Sequence, residues 1–268
     1  MRKKIKNGSV ELGNTDLYYV SFGRGSRTLV VLPGLSDGLA TVKGKAWILS
    51  LPYRKYLKEY TVYMFSRKNK MPEGYTIREM AQDQVRAMKI LGIEMACILG
   101  VSQGGMIAQY IAIDHPEVTE KLVLAVTAPY ANDVVSQNVS TWIKMAEGGD
   151  HTSLMIDTAE KMYSEAYLRR NIKLLLLVAK FTKPKSYERF LRNANAIRGF
   201  DARQKLSQIS CPTLVIAGEN DLTVGSKAPY QLKHKIPHCK LYIYKKFGHG
   251  AFEEGRDFYD RVFYFLSK

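Results

Sequence analysis

The sequence predicts an α/β fold: a mostly parallel, doubly wound sheet with an inserted helical lid. Three observations carry that prediction. Apolar runs at Thr28–Leu32, Ala96–Leu99, Lys121–Val126 and Thr213–Ala217 read as strands buried on both faces. Helical patterns lie between strands, and the two alternate from Leu17 to Val126 and again after Thr213. From about Ala131 to Ile209 the alternation stops and the pattern is helical throughout, with Trp142, Met145, Met155, Met162, Tyr163, Tyr167 and Phe190 at apolar positions. The expected organisation is a core formed by 1–130 and 210–268, with 131–209 as the lid. A chain of 268 residues suits one domain with an insertion and is long enough to bury a large core.

Each element has its own signal. Leu17–Phe22 reads as a strand followed by the turn Gly23-Arg24-Gly25-Ser26; no third glycine opens a helix there, so a dinucleotide fingerprint is excluded. Strand Thr28–Leu32 runs into a glycine-rich loop, Pro33 to Gly38. Helical sequence surrounds Trp47, and Thr61–Phe65 is the next strand, followed by a polar loop from Arg67 to Gly74. Thr76 with Glu79 three residues on forms a capping-box pattern, and the helix it opens runs to about Leu91, where Gly92 stops it. After strand Ala96–Leu99 a helix extends to about Asp114 and ends at His115-Pro116. Beyond the lid come strand Thr213–Ala217, a helix near Ala228–His234, strand Lys240–Tyr244 and a final helix from about Phe258 to Leu266.

Composition narrows the function. The 46 % hydrophobic content is that of a globular protein. The longest apolar candidate, Leu174–Ala179, is too short for a membrane span, and the basic N-terminus Met1–Lys6 lacks the apolar region of a signal peptide, so a cytoplasmic protein is expected. Cys97, Cys211 and Cys239 are odd in number and lack metal-ligand spacing, with no metal or cofactor implied; Cys97 and Cys211, in or beside apolar strand patterns, read as buried free thiols. The net charge is +15, and the lysines and arginines are spread along the chain, with local density at Arg2–Lys6, Arg67–Lys70, Arg169–Lys173 and Lys180–Lys185. No basic block is interleaved with aromatics in a recognised nucleic-acid motif, so they read as solvated surface and no nucleic-acid partner is expected.

The chemistry centres on Gly100-Val101-Ser102-Gln103-Gly104-Gly105. A serine between glycines two residues away, with a strand before it and a helix after it, has the spacing of a nucleophile elbow. A serine hydroxyl needs a base to take its proton, and the base needs an acid to hold its tautomer. Both have candidates just beyond strand ends, where open parallel sheets place their sites. Asp221 follows strand Thr213–Ala217 in Gly218-Glu219-Asn220-Asp221, and His249 follows strand Lys240–Tyr244 in Phe247-Gly248-His249-Gly250. Asp133, shortly after strand Lys121–Val126, is an alternative acid. His115, His151, His234 and His238 lack a strand-end setting.

With the order Ser102, Asp221, His249 and the lid placed between strands, the chain resembles the α/β-hydrolase superfamily from about Leu17 to its end. The resemblance implies Ser102 as nucleophile, His249 as base then acid, and Asp221 as the orienting acid. It also implies an oxyanion hole made by the backbone N–H groups of Leu35 and Gln103. Where family members commonly carry His-Gly in the oxyanion loop, this chain has Pro33-Gly34; the donors are backbone groups, so the hole is not abolished. The serine also separates it from the related branches that use an aspartate at the elbow. The expected function is a cofactor-free serine hydrolase acting on a small-molecule ester or related acyl bond. Acyl transfer, carbon–carbon hydrolysis, perhydrolysis and a non-catalytic receptor of the same fold are the alternatives. A histidine base has to be neutral, so activity is expected to rise with pH through about 6 to 7.

Overall fold

The computed structural model describes residues 5–268. Arg2, Lys3 and Lys4 of the N-terminal basic cluster lie outside the described residues, as does the side chain of Val178 in the apolar run Leu174–Ala179. Among the described residues eight strands form one sheet: β1 (Ile5–Glu11), β2 (Asp16–Gly23), β3 (Arg27–Leu32), β4 (Tyr60–Lys68), β5 (Ala96–Val101), β6 (Thr119–Ala125), β7 (Thr213–Gly218) and β8 (Cys239–Tyr244). Their order is β1-β2-β4-β3-β5-β6-β7-β8. β1 pairs antiparallel with β2, and β2 antiparallel with β4. Every later pairing is parallel. The strands from β3 to β7 are the apolar runs of the sequence, buried because helices cover both faces.

Among the described residues ten α-helices complete the fold: α1 (Ala46–Leu49), α2 (Ile77–Ile90), α3 (Gln103–Asp114), α4 (Asp133–Glu147), α5 (His151–Met162), α6 (Glu165–Phe181), α7 (Glu188–Arg198), α8 (Ala228–Lys235), α9 (Ala251–Glu254) and α10 (Phe258–Ser267). One apolar layer joins the sheet to α2, α3 and α8 and contains Met80, Met88, Ile107, Ile111 and Leu232. The opposite layer holds Tyr53, Tyr56, Phe258, Val262 and Leu266 against Val31, Leu99 and Ile216. The expected capping box is formed: the Thr76 hydroxyl accepts from Glu79 N, and Glu79 accepts from Thr76 N at 2.8 Å. Gly92, with φ +71°, closes that helix in the left-handed region.

The connection from β3 goes outward to β4, whereas that from β4 returns past β3 to β5. The loops leaving the carboxyl ends of β3 and β5 therefore diverge, which opens the crevice where such sheets hold ligands. Helices α4 to α7 are inserted between β6 and β7. At the neck of this insertion Tyr130 bridges Asp201, the Ala131 N–H donates to Phe200 O and the Ala202 N–H to Pro129 O, both at 2.9 Å. Two differences from the sequence reading stand out. β1 was not expected, because Lys6-Asn7-Gly8-Ser9 is polar, as suits a half-exposed edge strand. β4 extends to Lys68, so Arg67 belongs to the strand and not to the loop after it.

Candidate active site

Ser102 sits between β5 and α3 with φ +53° and ψ −120°, a conformation few residues with a Cβ adopt. The surroundings hold it there. Ser102 N–H donates to Ala125 O at 2.9 Å, and the Ser102 carbonyl accepts from Gly105 N and from the Thr127 hydroxyl, each at 2.8 Å. The flanking glycines are required by space. A Cβ on Gly100 would lie 2.4 Å from Gly104 O, and one on Gly104 would lie 1.9 Å from Leu32 O. A Cβ on Gly105 would stand 2.7 Å from the Thr127 side chain, so this glycine lets α3 approach the segment after β6.

The structure brings Ser102, Asp221 and His249 into one hydrogen-bonded chain. Ser102 Oγ lies 3.0 Å from His249 Nε2, and His249 Nδ1 lies 2.8 Å from Asp221 Oδ2. Asp221 is itself fixed, since its Oδ1 accepts from Thr223 N at 2.8 Å and from Val224 N at 2.9 Å. Asp221 and His249 are 2 % and 4 % exposed, so this ion-pair-capable contact is shielded from water. The two loops meet closely because Gly218 has no side chain: a Cβ there would lie 2.2 Å from Gly248 O. Asp133 is exposed at the first turn of α4 and takes no part in this chain.

Leu35 and Gln103 each open a helical turn, Leu35 the 3-10 turn Leu35–Gly38 and Gln103 helix α3. The first N–H groups of a helix have no intrahelical acceptor, so both are free to face an incoming oxygen. The loop carrying Leu35 is held against the serine, as a Cβ on Gly34 would lie 3.3 Å from Ser102 Cβ.

A second set of residues was missed by the sequence reading. Arg67, counted there in a solvated basic cluster, is 1 % exposed. Its Nη2 donates to Pro33 O at 2.7 Å and to Gln103 Oε1 at 3.0 Å, gripping the loop that carries Leu35 and the side chain of Gln103. Gln103 Nε2 in turn donates to Asn193 O on α7 at 2.7 Å. Asp37, in the glycine-rich loop after β3, is turned inward and 2 % exposed. It accepts from Arg67 N at 3.0 Å and from Arg189 Nη2 at 2.7 Å. Burial lowers the Arg67 guanidinium to about 10, which leaves it charged at neutral pH. The available signal was position: an arginine continuing a strand into the switch-point crevice.

The insertion also touches the histidine loop. Gly250 N–H donates to Met162 O at 2.6 Å, the Tyr163 hydroxyl to Glu253 at 2.5 Å, and Ser164 N–H to Glu254 at 3.0 Å. The aromatic residues noted in the lid are largely used for packing: Trp142 is buried with its Nε1–H on Asp157, and Phe190 lies against Gly38. A cleft of about 670 Å³ opens elsewhere, lined by Tyr75, Arg78, Tyr110, Arg192 and Phe200, and its arginines are ion-paired to Asp114, Glu73 and Glu188. Among the described residues no cluster of His, Cys, Asp or Glu could hold a metal ion, and no helix is long and apolar enough to cross a membrane.

The sequence profile of the alpha/beta hydrolase fold family matches residues 62–256, and the chain belongs to that family. Among curated relatives, a protein of Enterobacter cloacae named "Putative carbamate hydrolase RutD" is 24 % identical over 239 residues, covering 85 % of this chain and 86 % of its own. The 3-oxoadipate enol-lactonase 2 of Acinetobacter baylyi is 24 % identical over 233 residues, covering 85 % and 84 %. Among solved structures, the alpha/beta hydrolase enzyme MGS-M2 from a Medee basin deep-sea metagenome library superposes with a TM-score of 0.85 at 20 % identity, covering 97 % of this chain and 98 % of its own.

Proposed function

We propose that this α/β hydrolase is a serine enzyme that cleaves a small-molecule ester or related acyl bond through an acyl-enzyme on Ser102. The observation that carries the reading is the continuous chain from Ser102 Oγ through His249 to Asp221, at 3.0 Å and 2.8 Å. The Asp221 carboxylate accepts a hydrogen bond from His249 Nδ1–H, which leaves the Nε2 lone pair directed at the serine hydroxyl. Nε2 accepts the hydroxyl proton as Oγ attacks the substrate carbonyl. Charge gathers on the carbonyl oxygen, which the N–H groups of Leu35 and Gln103 receive; one such donor is worth about 10²–10³-fold in kcat. His249 then gives its proton to the leaving group, and a water activated by the same nitrogen releases the acid. No cofactor enters these steps.

The insertion, with bounds 131–209, serves in this reading as the lid that shapes the substrate pocket. The relatives' names support the acyl-bond class: carbamates, lactones and simple esters share the attacked carbonyl. A fluorophosphonate probe tests the reading without knowledge of substrate. Mass spectrometry is expected to locate the adduct on Ser102, and His249→Ala to reduce labelling at least about 100-fold. Folded protein that takes no label would replace the serine mechanism with a non-catalytic ligand-binding role.

A further inference from the structure

Helix α6 carries an outward face that the hydrolase reading does not use. Its inward row is Leu168, Leu175 and Ala179, spaced i, i+7, i+11, with α5 beneath it. On the outward side Leu174, Leu177 and Phe181 follow at i, i+3, i+7, which lines them up in one row. They are 58 %, 53 % and 77 % exposed, an unusual state for three consecutive large apolar positions of one helix face. Arg170 stands within that row, and Lys173 and Lys180 form its margin, all exposed. Residues 166–187 contain six lysines and arginines and no aspartate or glutamate. This stretch thus holds a concentrated share of the chain's excess positive charge.

We propose that α6 is an interfacial helix that seats the protein on a bilayer surface rich in anionic lipid. Such a surface satisfies both halves of the face: headgroup phosphates meet Arg170, Lys173 and Lys180, and the acyl boundary takes Leu174, Leu177 and Phe181. A second copy of the chain fits poorly, because two such faces would bring like charges together. A nucleic-acid backbone would meet the cations and leave the leucines and phenylalanine against phosphate. The placement has a functional consequence. α6 begins at the joint whose Ser164 is bonded to Glu254, beside the loop of His249, so a membrane along α6 runs next to the insertion that frames the candidate site. The proposal concerns binding and does not depend on the serine mechanism.

Flotation with vesicles of phosphatidylcholine, alone or with about 30 % phosphatidylglycerol, tests it. The full chain is expected to float with the anionic vesicles, at least about tenfold more than with neutral ones, and to be released by about 0.5 M salt. The variant Leu174→Ser/Leu177→Ser/Phe181→Ser is expected to lose flotation at an unchanged circular-dichroism spectrum. If it does not fold, Lys173→Glu/Lys180→Glu, altered only at exposed positions, gives the same reading. Equal flotation on neutral vesicles, flotation of either folded variant at the parent's level, or no flotation of the parent would overturn the proposal. So would a dimer, seen by sedimentation, that the leucine variant dissociates. Fluorophosphonate labelling of Ser102 is read separately, so failure of the catalytic mechanism and failure of membrane binding are told apart.

Discussion

Ser102 and Val126 share an unusual property: among the described residues they are the only non-glycine positions with positive φ, +53° and +45°. Each such residue costs about 1–3 kcal/mol, which the surrounding structure has to offset. The two strains act on one spot. The kink at Val126 places Thr127, whose hydroxyl holds the Ser102 carbonyl. Legibility at this scale followed chemistry. Ser102, Asp221 and His249, which the structure brings together, stood out because the proposed chemistry demands particular residue types at strand ends, with glycines where backbones touch. Arg67 did not, since Ser66-Arg67-Lys68-Asn69-Lys70 looks solvated and only distant partners, Asp37 and Pro33, reveal its burial. In the proposed mechanism Arg67 is a positioning residue for the loop and the elbow side chain. Arg67→Met is expected to lower kcat about 10–100-fold while KM moves less than about threefold, because misplaced donors weaken the transition state more than the ground state. A similar loss in both constants in steady-state kinetics, or none in kcat, would remove that role.

At the scale of elements, α7 is fastened to the sheet mainly through one side chain. Arg189 donates to Asp37 O, Asp37 Oδ2, Arg67 O and Lys68 O, all between 2.7 and 3.0 Å. Arg189→Ala leaves the Asp37 carboxylate, 2 % exposed, with Arg67 as its remaining cation. A urea titration is expected to show a loss of about 2–4 kcal/mol, since breaking one side of a buried ion pair strands the other charge. A loss below about 0.5 kcal/mol would mean the contact is as weak as a surface pair. The helical character of the insertion was readable from its periodicity. Its attachment was not, because Arg189 and Asn193 meet residues more than a hundred positions away, or nearly so, and local patterning carries no trace of that distance.

At the scale of the whole molecule, several acidic groups are buried in neutral form, which ties stability to alkaline pH. Burial pushes the Cys97 thiol up to about 12, with Glu120 nearby adding to the shift, and burial pushes Cys239 up to about 11 and Tyr259 up to about 12. Below the ordinary values both folded and unfolded chains hold these protons and pH has no effect. Above about pH 9 the unfolded chain releases thiol protons that the folded chain keeps, so stability falls as pH rises. The urea midpoint is expected to drop between about pH 8 and about pH 10, and Cys97→Ala to flatten that slope even where it lowers the midpoint itself. An identical slope in the variant would show that Cys97 does not carry the dependence. The sheet as a whole was legible in the sequence, with its parallel strands marked by apolar runs. The edge strand β1 escaped because pairing with β2, not burial, holds its polar residues in place.

The neck at Tyr130 and Asp201 ties the two ends of the insertion to each other. Its two ends leave and rejoin the core side by side, so the sheet imposes only a closing distance on whatever lies between them. A different helical segment grafted at that neck would inherit Ser102, Asp221 and His249 unchanged. It would have to re-create the grip of Arg189 on Asp37 and of Asn193 on Gln103 and the bonds of Met162, Tyr163 and Ser164 to the histidine loop, and those contacts are where a change of insertion would be felt at the candidate site.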